Sequence, residues 1–205
     1  GKRMQIGVCA FECHLEENIF DLHGELQEGI YRHGPYEQFR IDDPKPRLIS
    51  KASVRDRVVH RAIYRMLYQV IDPYFIYASY ASRIGKGTHR AFWRVRTLLR
   101  AMSKNYTRTC FVLQCDIRKF FDTVSHETMM RCLQVRIADP NLLWLVHRFL
   151  KAGVVDAGQF ISTEQGTPQG GNLSPLLANI YLHYVLDLWF EKKFKPKAKA
   201  PMHLI

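Results

Sequence analysis

Asp116 stands where an acidic side chain could bind a metal ion. It follows the apolar run 109–115 and precedes Ile117-Arg-Lys-Phe-Phe-Asp122. The composition of residues 109–115 predicts a buried strand, and a carboxylate at the exposed end of such a strand is a natural ligand for a hard cation such as Mg²⁺. A strand-terminal aspartate is also a common turn former or helix cap, so residue type alone leaves both roles open.

A second stretch could hold a nucleotide or another anion. It is Gln165-Gly-Thr-Pro-Gln-Gly-Gly-Asn-Leu-Ser-Pro175, and an apolar helix is predicted to follow from Leu173 to Phe190. Glycines let a backbone approach a ligand closely, and the first N–H groups of a helix point toward an anion. Gln165 and Gln169 could hydrogen-bond sugar or base edges. A glycine-rich turn before a helix explains the glycines and prolines, but not two Gln-Gly pairs.

The positive charge is concentrated in one third of the chain. The 205 residues include 30 Lys+Arg and 19 Asp+Glu, a net charge of +11. Residues 40–108 hold 16 basic and 4 acidic side chains, a local balance of +12, and the rest of the chain is close to neutral. Such a concentration is typical of a surface that binds a polyanion. A basic face that serves only solubility is the alternative.

The remaining patterns predict the elements that must position these residues. Apolar spacing indicates a helix over residues 54–70, with Ser53-x-x-Asp56 as a capping box and Pro73 at its end. Thr88 is expected to cap a second basic helix. The other expected elements are a hairpin within 35–50, a helix near 125–136, a helix near 141–152 and a strand within 157–163. Asp139-Pro140 is expected to open the helix near 141–152, with Asp139 as its N-cap. Helices and strands without regular βαβ alternation predict an α+β fold.

Two further observations concern the compartment. No apolar run approaches the roughly 18 residues of a membrane span, so no membrane partner is expected. The five cysteines are odd in number and show no disulfide-framework spacing. A reducing compartment is therefore expected.

Several motifs in the same order resemble reverse transcriptases. Asp116-x-x-x-Phe-Phe121-Asp122, followed by the Gln165–Pro175 stretch and Asn179, is similar to two successive core motifs of these enzymes. The likeness is to the bacterial retroelement group, which includes group II intron-encoded and diversity-generating-retroelement enzymes. Three upstream stretches resemble the fingers of the same enzymes: Asp43-Pro-Lys-Pro-Arg47, Val54-Arg-Asp-Arg57-Val-Val-His60 and Ser79-Tyr-Ala-Ser-Arg-Ile-Gly85-Lys-Gly-Thr-His89. The resemblance covers about residues 30–205.

This resemblance implies a right-hand polymerase and a bacterial, cytoplasmic location. Residues 1–107 would form the basic fingers, and residues 108–205 an incomplete palm with a helical insertion near 125–152. The implied activity is RNA-directed DNA polymerisation, which adds dNTPs to the 3′-hydroxyl of a DNA or RNA primer on an RNA template. Two Mg²⁺ ions would support this in-line phosphoryl transfer.

The resemblance also implies roles for individual residues. Asp116 and the backbone carbonyl of Ile117 would bind Mg²⁺, and Asp122 would be a supporting acid. Phe121 would lie under the nucleotide sugar and exclude a 2′-hydroxyl, with Phe120 as the competing assignment. The other expected nucleotide-binding residues are Lys45, Arg47, Arg55, Arg57, Gln169 and Gly170. The expected template or primer contacts are Lys86, Arg90, Arg94, Gln165, Gly166 and Pro168.

A single aspartate binds two divalent ions poorly. The reverse transcriptases that this sequence resembles supply further carboxylates from a Tyr-x-Asp-Asp hairpin. Here a lysine-rich loop is followed by residues 201–205, and the printed sequence ends. We therefore expect a piece of a longer polymerase that is inactive alone. Its incomplete palm could also self-associate.

Two other functions stay open at this point. The chain could be a non-catalytic, maturase-like RNA-binding module whose basic third grips a structured RNA. It could also belong to an RNA-dependent RNA polymerase, which uses a palm aspartate and a glycine-rich loop as well. Phe121 argues against the latter, because an aromatic side chain under the sugar disfavours ribonucleotides.

Overall fold

The computed structural model describes residues 5–43, 46–156, 159–161, 165–167, 171 and 173–205. The helices are α1 (Ile6–Cys13), α2 (Leu15–Gln27), α3 (Val54–Ile71), α4 (Thr88–Met102), α5 (Phe120–Thr123), α6 (His126–Gln134), α7 (Pro140–Leu150) and α8 (Ser174–Leu182). The strands are β1 (Tyr36–Ile41), β2 (Arg47–Lys51), β3 (Val154–Asp156) and β4 (Gln159–Ile161). None of the described helices combines the length and the apolar character that crossing a membrane requires.

One small mixed sheet confirms the α+β class. The strand order is β2-β1-β3-β4. The predicted hairpin is present, since β1 pairs antiparallel with β2 and Phe39 lies opposite Ile49. β1 also pairs in parallel with β3, and β3 pairs antiparallel with β4. The first hairpin is therefore joined to the region just before the glycine-rich stretch.

Several predicted helices begin with the expected caps. The Ser53 hydroxyl accepts a hydrogen bond from the backbone N–H of Asp56 at 3.0 Å, which confirms the capping box of α3. Asp139 caps α7 by accepting from the N–H of Asn141 at 2.8 Å. These side chains satisfy N–H groups that have no partner within a helix. Helices α3, α6, α7 and α8 then bury one apolar core, which includes Ile63, Leu67, Met129, Leu133, Val146, Phe149, Leu176, Leu177 and Ile180.

The predicted strand over residues 109–115 is wrong. Residues 109–117 are neither helix nor strand. Phe111, Val112 and Leu113 are 91%, 70% and 87% exposed. A strand is stabilised by hydrogen bonds to a neighbouring strand, and within the described residues no strand pairs with this segment. Strand-forming residue types are therefore present here without the pairing that would make them a strand.

Two predicted helix boundaries also need correction. Thr88 does not cap α4, because the residue before the helix is Gly87, whose φ of 103° lies in a region that favours glycine. The α-helix predicted over 173–190 ends at Leu182 and continues as π-helical turns, His183–Asp187 and Phe190–Phe194.

Asp56 is the main polar anchor of the core. It is 1% exposed, and a buried carboxylate is costly unless it is hydrogen-bonded. Its oxygens accept hydrogen bonds from the hydroxyls of Tyr31 and Ser53, both at 2.7 Å. Arg55 Nη1 lies 3.6 Å from Asp56 Oδ1. These contacts fix the start of α3 against the chain that leads into β1.

Two buried histidines stack beside this anchor. The Nε2 atoms of His33 and His60 are 2.7 Å apart. Because His33 Nδ1 faces the carbonyl of Gly34, His33 Nδ1 donates there and His33 Nε2 accepts from His60. The Nδ1 atom of His60 is buried without a hydrogen-bond partner among the described residues. Burial and the neighbouring His33 ring lower the pKa of His60 to about 3.

We predict that acid destabilises the fold through His60. A histidine in an unfolded chain has a pKa of about 6.5. Below that pH, His60 is therefore protonated in the unfolded state while it stays neutral in the folded state. The stabilisation is complete above pH 6.5 and is lost as the pH falls toward 3. Lowering the pH from 7 to 5 should remove about 2 kcal/mol of unfolding free energy through this group.

Urea unfolding at the two pH values measures this loss. His60→Gln should show a smaller loss than the wild-type chain, because its amide does not titrate. His89→Gln, which changes an exposed histidine on α4, is the matched control and should behave like the wild type. An equal loss in the His60 variant would contradict the assignment.

Candidate active site

The two stretches that sequence analysis singled out meet in space. The backbone N–H of Thr167 donates to the carbonyl of Phe121 at 2.7 Å, and the N–H of Gly166 donates to the carbonyl of Val124 at 2.8 Å. Ser125 and Gln165 form an isolated β-bridge beside these bonds. The segment after Asp116 is therefore joined by backbone hydrogen bonds to the glycine-rich stretch, and we call this contact the seam.

Gly166 is required where the seam is tightest. Its φ is 92°, and a Cβ atom added there would lie 2.9 Å from the carbonyl oxygen of Phe121 and 3.2 Å from that of Asp122. Contacts that short force the backbones apart. The first glycine of the stretch thus serves close packing of two backbones.

His126 also stabilises the seam. Its ring is 6% exposed, and its Nε2 donates to the carbonyl of Gly166 at 2.7 Å. Sequence analysis gave this residue no role. A histidine in the first turn of a helix carries no local sign of a partner 40 residues away, and only its place next to the capping Ser125 could have drawn attention to it.

The two adjacent phenylalanines have different surroundings. Phe120 packs on the core, with its ring centroid 6.0 Å from that of Tyr181 near the end of α8. Phe121 is half-buried, and its carbonyl accepts the bond from Thr167. The turn before them is set by Lys119, whose φ of 50° is left-handed. Core packing thus occupies Phe120, whereas the seam holds the backbone of Phe121.

Asp116 lies exposed in the irregular segment before the seam. Its carboxylate makes no hydrogen bond or ion pair with the residues that the structure describes. Carboxylate and carbonyl oxygens of the kind that Asp116 and Ile117 offer suit Mg²⁺. Over the described ranges, however, no group of three or more His, Cys, Asp or Glu side chains is assembled to hold a metal. The donor type fits Mg²⁺, but these residues supply only part of a coordination shell.

The structure describes only some of the other predicted nucleotide and template contacts. Lys45, Pro168, Gln169 and Gly170 lie outside the described residues, and Arg47 is described only as part of β2. Arg57 is half-buried, and its Nε has no hydrogen-bond partner among the described residues.

Arg55 has a structural role that its sequence pattern did not indicate. Its Nη2 pairs with Glu25, its Nη1 donates to the carbonyl of Arg32 at 3.3 Å, and its guanidinium lies 4.9 Å from the centre of the Tyr31 ring. These internal contacts occupy the guanidinium, and phosphate binding by Arg55 stays a prediction.

Three predicted template residues do come together. Lys86, Arg90 and Arg94 line one cavity of about 430 Å³ beside α4. Asn179 in α8 donates from Nδ2 to the carbonyl of Ala81 at 2.8 Å, which ties the loop on the other side of this cavity to the helix that follows the glycine-rich stretch.

Comparison with a family model gives one match. Residues 39–200 match the model described as reverse transcriptase (RNA-dependent DNA polymerase). That range contains the seam, Asp116 and the basic helices.

Curated relatives share sequence over most of the chain. It is 30% identical over 189 residues to the group II intron-encoded protein LtrA of Lactococcus lactis subsp. cremoris. The aligned region covers 91% of this chain and 30% of LtrA. It is 32% identical over 190 residues to the protein YkfC of Escherichia coli strain K12. The aligned region covers 92% of this chain and 49% of YkfC. The chain therefore spans less than half the length of either relative.

A solved structure shares the fold. A partial Cas6-RT-Cas1–Cas2 complex superposes with a TM-score of 0.54 at 24% identity, covering 86% of this chain and 29% of that one.

We predict that Gly166→Ala destabilises the seam. The added methyl group meets the carbonyls of Phe121 and Asp122 in a backbone conformation that alanine rarely adopts, so the unfolding free energy should fall by roughly 1–3 kcal/mol. Urea unfolding measures the loss.

Gly24→Ala is the matched control. Gly24 lies within α2, and a Cβ atom there would meet nothing within 4 Å. Alanine at a helix interior should raise stability by about 0.5–1 kcal/mol relative to glycine. Equal effects of the two substitutions would show that the close approach at Gly166 is not what holds the seam.

Proposed function

The chain belongs to the reverse transcriptase (RNA-dependent DNA polymerase) family, and from that premise we propose that it forms the template- and nucleotide-facing part of an RNA-directed DNA polymerase. The seam is the observation that carries this proposal. It holds the segment that follows Asp116, from Phe121 to Val124, against the glycine-rich stretch, which supports the proposal that the metal ligand and the nucleotide cradle belong to one site. We propose the fingers over residues 1–107 and the palm over 108–205.

In this proposal Asp116 and the carbonyl of Ile117 are Mg²⁺ ligands. When bound, the metal ions activate the primer 3′-hydroxyl and stabilise the charge on the departing pyrophosphate. The exposure of Asp116 supports this role, since its carboxylate makes no hydrogen bond or ion pair among the described residues. Further carboxylates are needed to complete a two-metal site, and for that reason we expect the 205-residue chain to be inactive alone.

Phe121 is the better of the two candidates for contact with the nucleotide sugar. Phe120 is packed against Tyr181 and the core, whereas the seam fixes the backbone of Phe121 next to the glycine-rich stretch. Arg57 stays in the proposed phosphate-binding set, because its Nε lacks an internal partner among the described residues. On the resemblance alone, Lys45 and Arg47 complete that set, and Gln169 and Gly170 are proposed to line the nucleotide pocket near the sugar.

The template is proposed to be RNA, with a DNA or RNA primer. Lys86, Arg90 and Arg94 support this role because they line one cavity within the basic third. Gln165, Gly166 and Pro168 belong to the proposed template and primer contacts on the resemblance alone. The odd number of cysteines and their lack of disulfide-framework spacing support a reducing, bacterial cytoplasmic compartment. Self-association through the incomplete palm stays a prediction.

A maturase-like RNA-binding role is the second candidate. The observation in its favour is that three cations of the basic third, Lys86, Arg90 and Arg94, line one cavity. Both candidates require RNA binding, and they differ in whether Asp116 binds metal. Of the two predictions that follow, the first tests the RNA binding that both candidates require, and the second separates them.

We predict that RNA affinity depends steeply on salt through α4. Each phosphate contact to a single strand contributes about 0.7 to the slope of log affinity against log salt. Arg90→Gln combined with Arg94→Gln should therefore reduce the slope by about 1.4, measured by fluorescence anisotropy with single-stranded RNA. Arg131→Gln, which removes one charge outside residues 40–108, and Asp116→Ala should leave the slope unchanged. An unchanged slope in the double variant would contradict RNA binding by this face.

We predict that Asp116 binds divalent metal. Mn²⁺, used as a paramagnetic substitute for Mg²⁺, should broaden the amide NMR signals of residues 115–118. The broadening should disappear in Asp116→Asn and persist in Asp21→Asn, which changes an exposed carboxylate on α2.

Two results would count against this assignment. Broadening that survives Asp116→Asn would remove the metal role and favour the maturase-like candidate. Primer extension on an RNA template by the 205-residue chain, abolished by Asp116→Ala, would contradict the expectation that further carboxylates are needed.

A further inference from the structure

We propose that the cavity beside α4 holds one unstacked nucleotide of a single-stranded RNA. This inference rests on the proposed function and deepens it, since it says how the template is gripped. The cavity measures about 430 Å³, within the range of small-molecule sites. It is lined by Tyr77, Tyr80, Lys86, Arg90, Trp93, Arg94 and Thr97.

The lining combines the two kinds of group that a nucleotide needs. Three aromatic rings offer faces or edges to a base, and three cations offer contacts to phosphate. No acidic side chain is among these lining residues. Aromatic stacking combined with a positive groove is how proteins bind single-stranded nucleic acid.

The loop that carries Tyr77 and Tyr80 is rigidly held. The guanidinium of Arg83 donates to Asp72 Oδ1 at 2.7 Å and to the carbonyls of Ile76 and Ser79 at 3.1 and 3.0 Å. This hydrogen bond from Arg83 is the main reason that the pKa of Asp72 lies below its usual range. A held loop presents its rings without an ordering cost on binding.

The cations are already placed against the rings. Lys86 Nζ lies 3.6 Å from the centre of the Tyr77 ring and donates to the Tyr77 carbonyl at 2.7 Å. Arg94 lies 5.6 Å from the centre of the same ring. A phosphate entering between them would be attracted by both charges, while Trp93, which is 57% exposed, is accessible to a base.

The spacing along α4 favours a strand over a free nucleotide. Arg90, Arg94 and Thr97 follow at intervals of four and three residues, so they lie on one face of the helix. A row of two cations and a hydroxyl on one face can follow a phosphate backbone, whereas a single mononucleotide engages only part of it. Bases within a duplex are stacked on each other and cannot enter a cavity between aromatic rings.

The cavity is also fixed relative to the seam side of the molecule. Asn179 of α8 holds the carbonyl of Ala81 at 2.8 Å, within the loop that Arg83 orders. The edge of the Phe75 ring meets His183 just beyond α8, at a centroid distance of 5.5 Å. A strand held in the cavity is therefore held at a set position relative to the helix that follows the glycine-rich stretch.

The test uses an RNA of about ten nucleotides, within the site size of single-strand binding modules, that carries one 2-aminopurine among uridines. Binding to the 205-residue chain should quench the 2-aminopurine fluorescence, because stacking on an aromatic ring quenches this base. Trp93→Ala and Tyr77→Ala should each remove the quenching. Loss of one base stack corresponds to an affinity about 5- to 150-fold weaker.

Phe92→Ala is the matched control. Phe92 neighbours Trp93 on α4, is 62% exposed and does not line the cavity. This variant should keep both the quenching and, within about twofold, the affinity. All the changed side chains are exposed, and circular dichroism verifies that each variant is folded.

Each other outcome overturns the proposal in a distinguishable way. If Trp93→Ala binds like the wild type while Arg90→Gln with Arg94→Gln binds more weakly, the nucleotide cavity is wrong and the template surface stands. If uridine monophosphate binds as tightly as the RNA, or a fully paired duplex shows the same dependence on Trp93, the occupant is not an unstacked nucleotide of a strand. If the wild-type chain binds no RNA at low salt, the proposed function fails with the cavity.

Discussion

The candidate site depends on two backbones that approach each other closely at Gly166. The bonds from Gly166 and Thr167 to the carbonyls of Val124 and Phe121 leave no room for a side chain. His126 satisfies the remaining carbonyl of Gly166. Because the backbone groups on both sides are paired, this contact is directional as well as close. It fixes the position of Phe120 and Phe121 relative to the glycine-rich stretch. Side-chain packing alone would not fix that position.

The sequence correctly predicted those elements that depend on contacts between residues close together in the chain. The cap of α3 at Ser53 and the cap of α7 at Asp139 each form between residues two or three positions apart, so the relevant chemistry is visible in a short window. The first hairpin is local in the same sense, since β1 and β2 are separated by only a few residues. The meeting of the two motif stretches followed from resemblance and not from any local pattern.

The errors arose where the outcome depends on distant partners. Residues 109–115 have strand composition, but composition supplies no neighbouring strand, and none pairs with them in the part of the chain that the structure describes. Arg55 looks like any other basic residue of its helix until Glu25, 30 positions earlier, is placed beside it. His126 is similar, since its partner Gly166 lies 40 positions later. Periodicity and propensity contain no information about these contacts.

Contacts with distant residues also determine which basic side chains of the basic third, residues 40–108, remain available to a polyanion. Its excess charge suggested a uniform polyanion-binding surface, yet its arginines have two different uses. Arg55 and Arg83 are paired with Glu25 and Asp72 and shape the fold. Of the acids in residues 40–108, Asp56 and Asp72 are engaged in such structural contacts, which leaves the cations along the cavity uncompensated by any acid in its lining. The structural ion pairs thus hold the loop and helix in place, and the charge that remains is concentrated beside exposed aromatic rings, where phosphate attraction and base stacking can act on the same nucleotide.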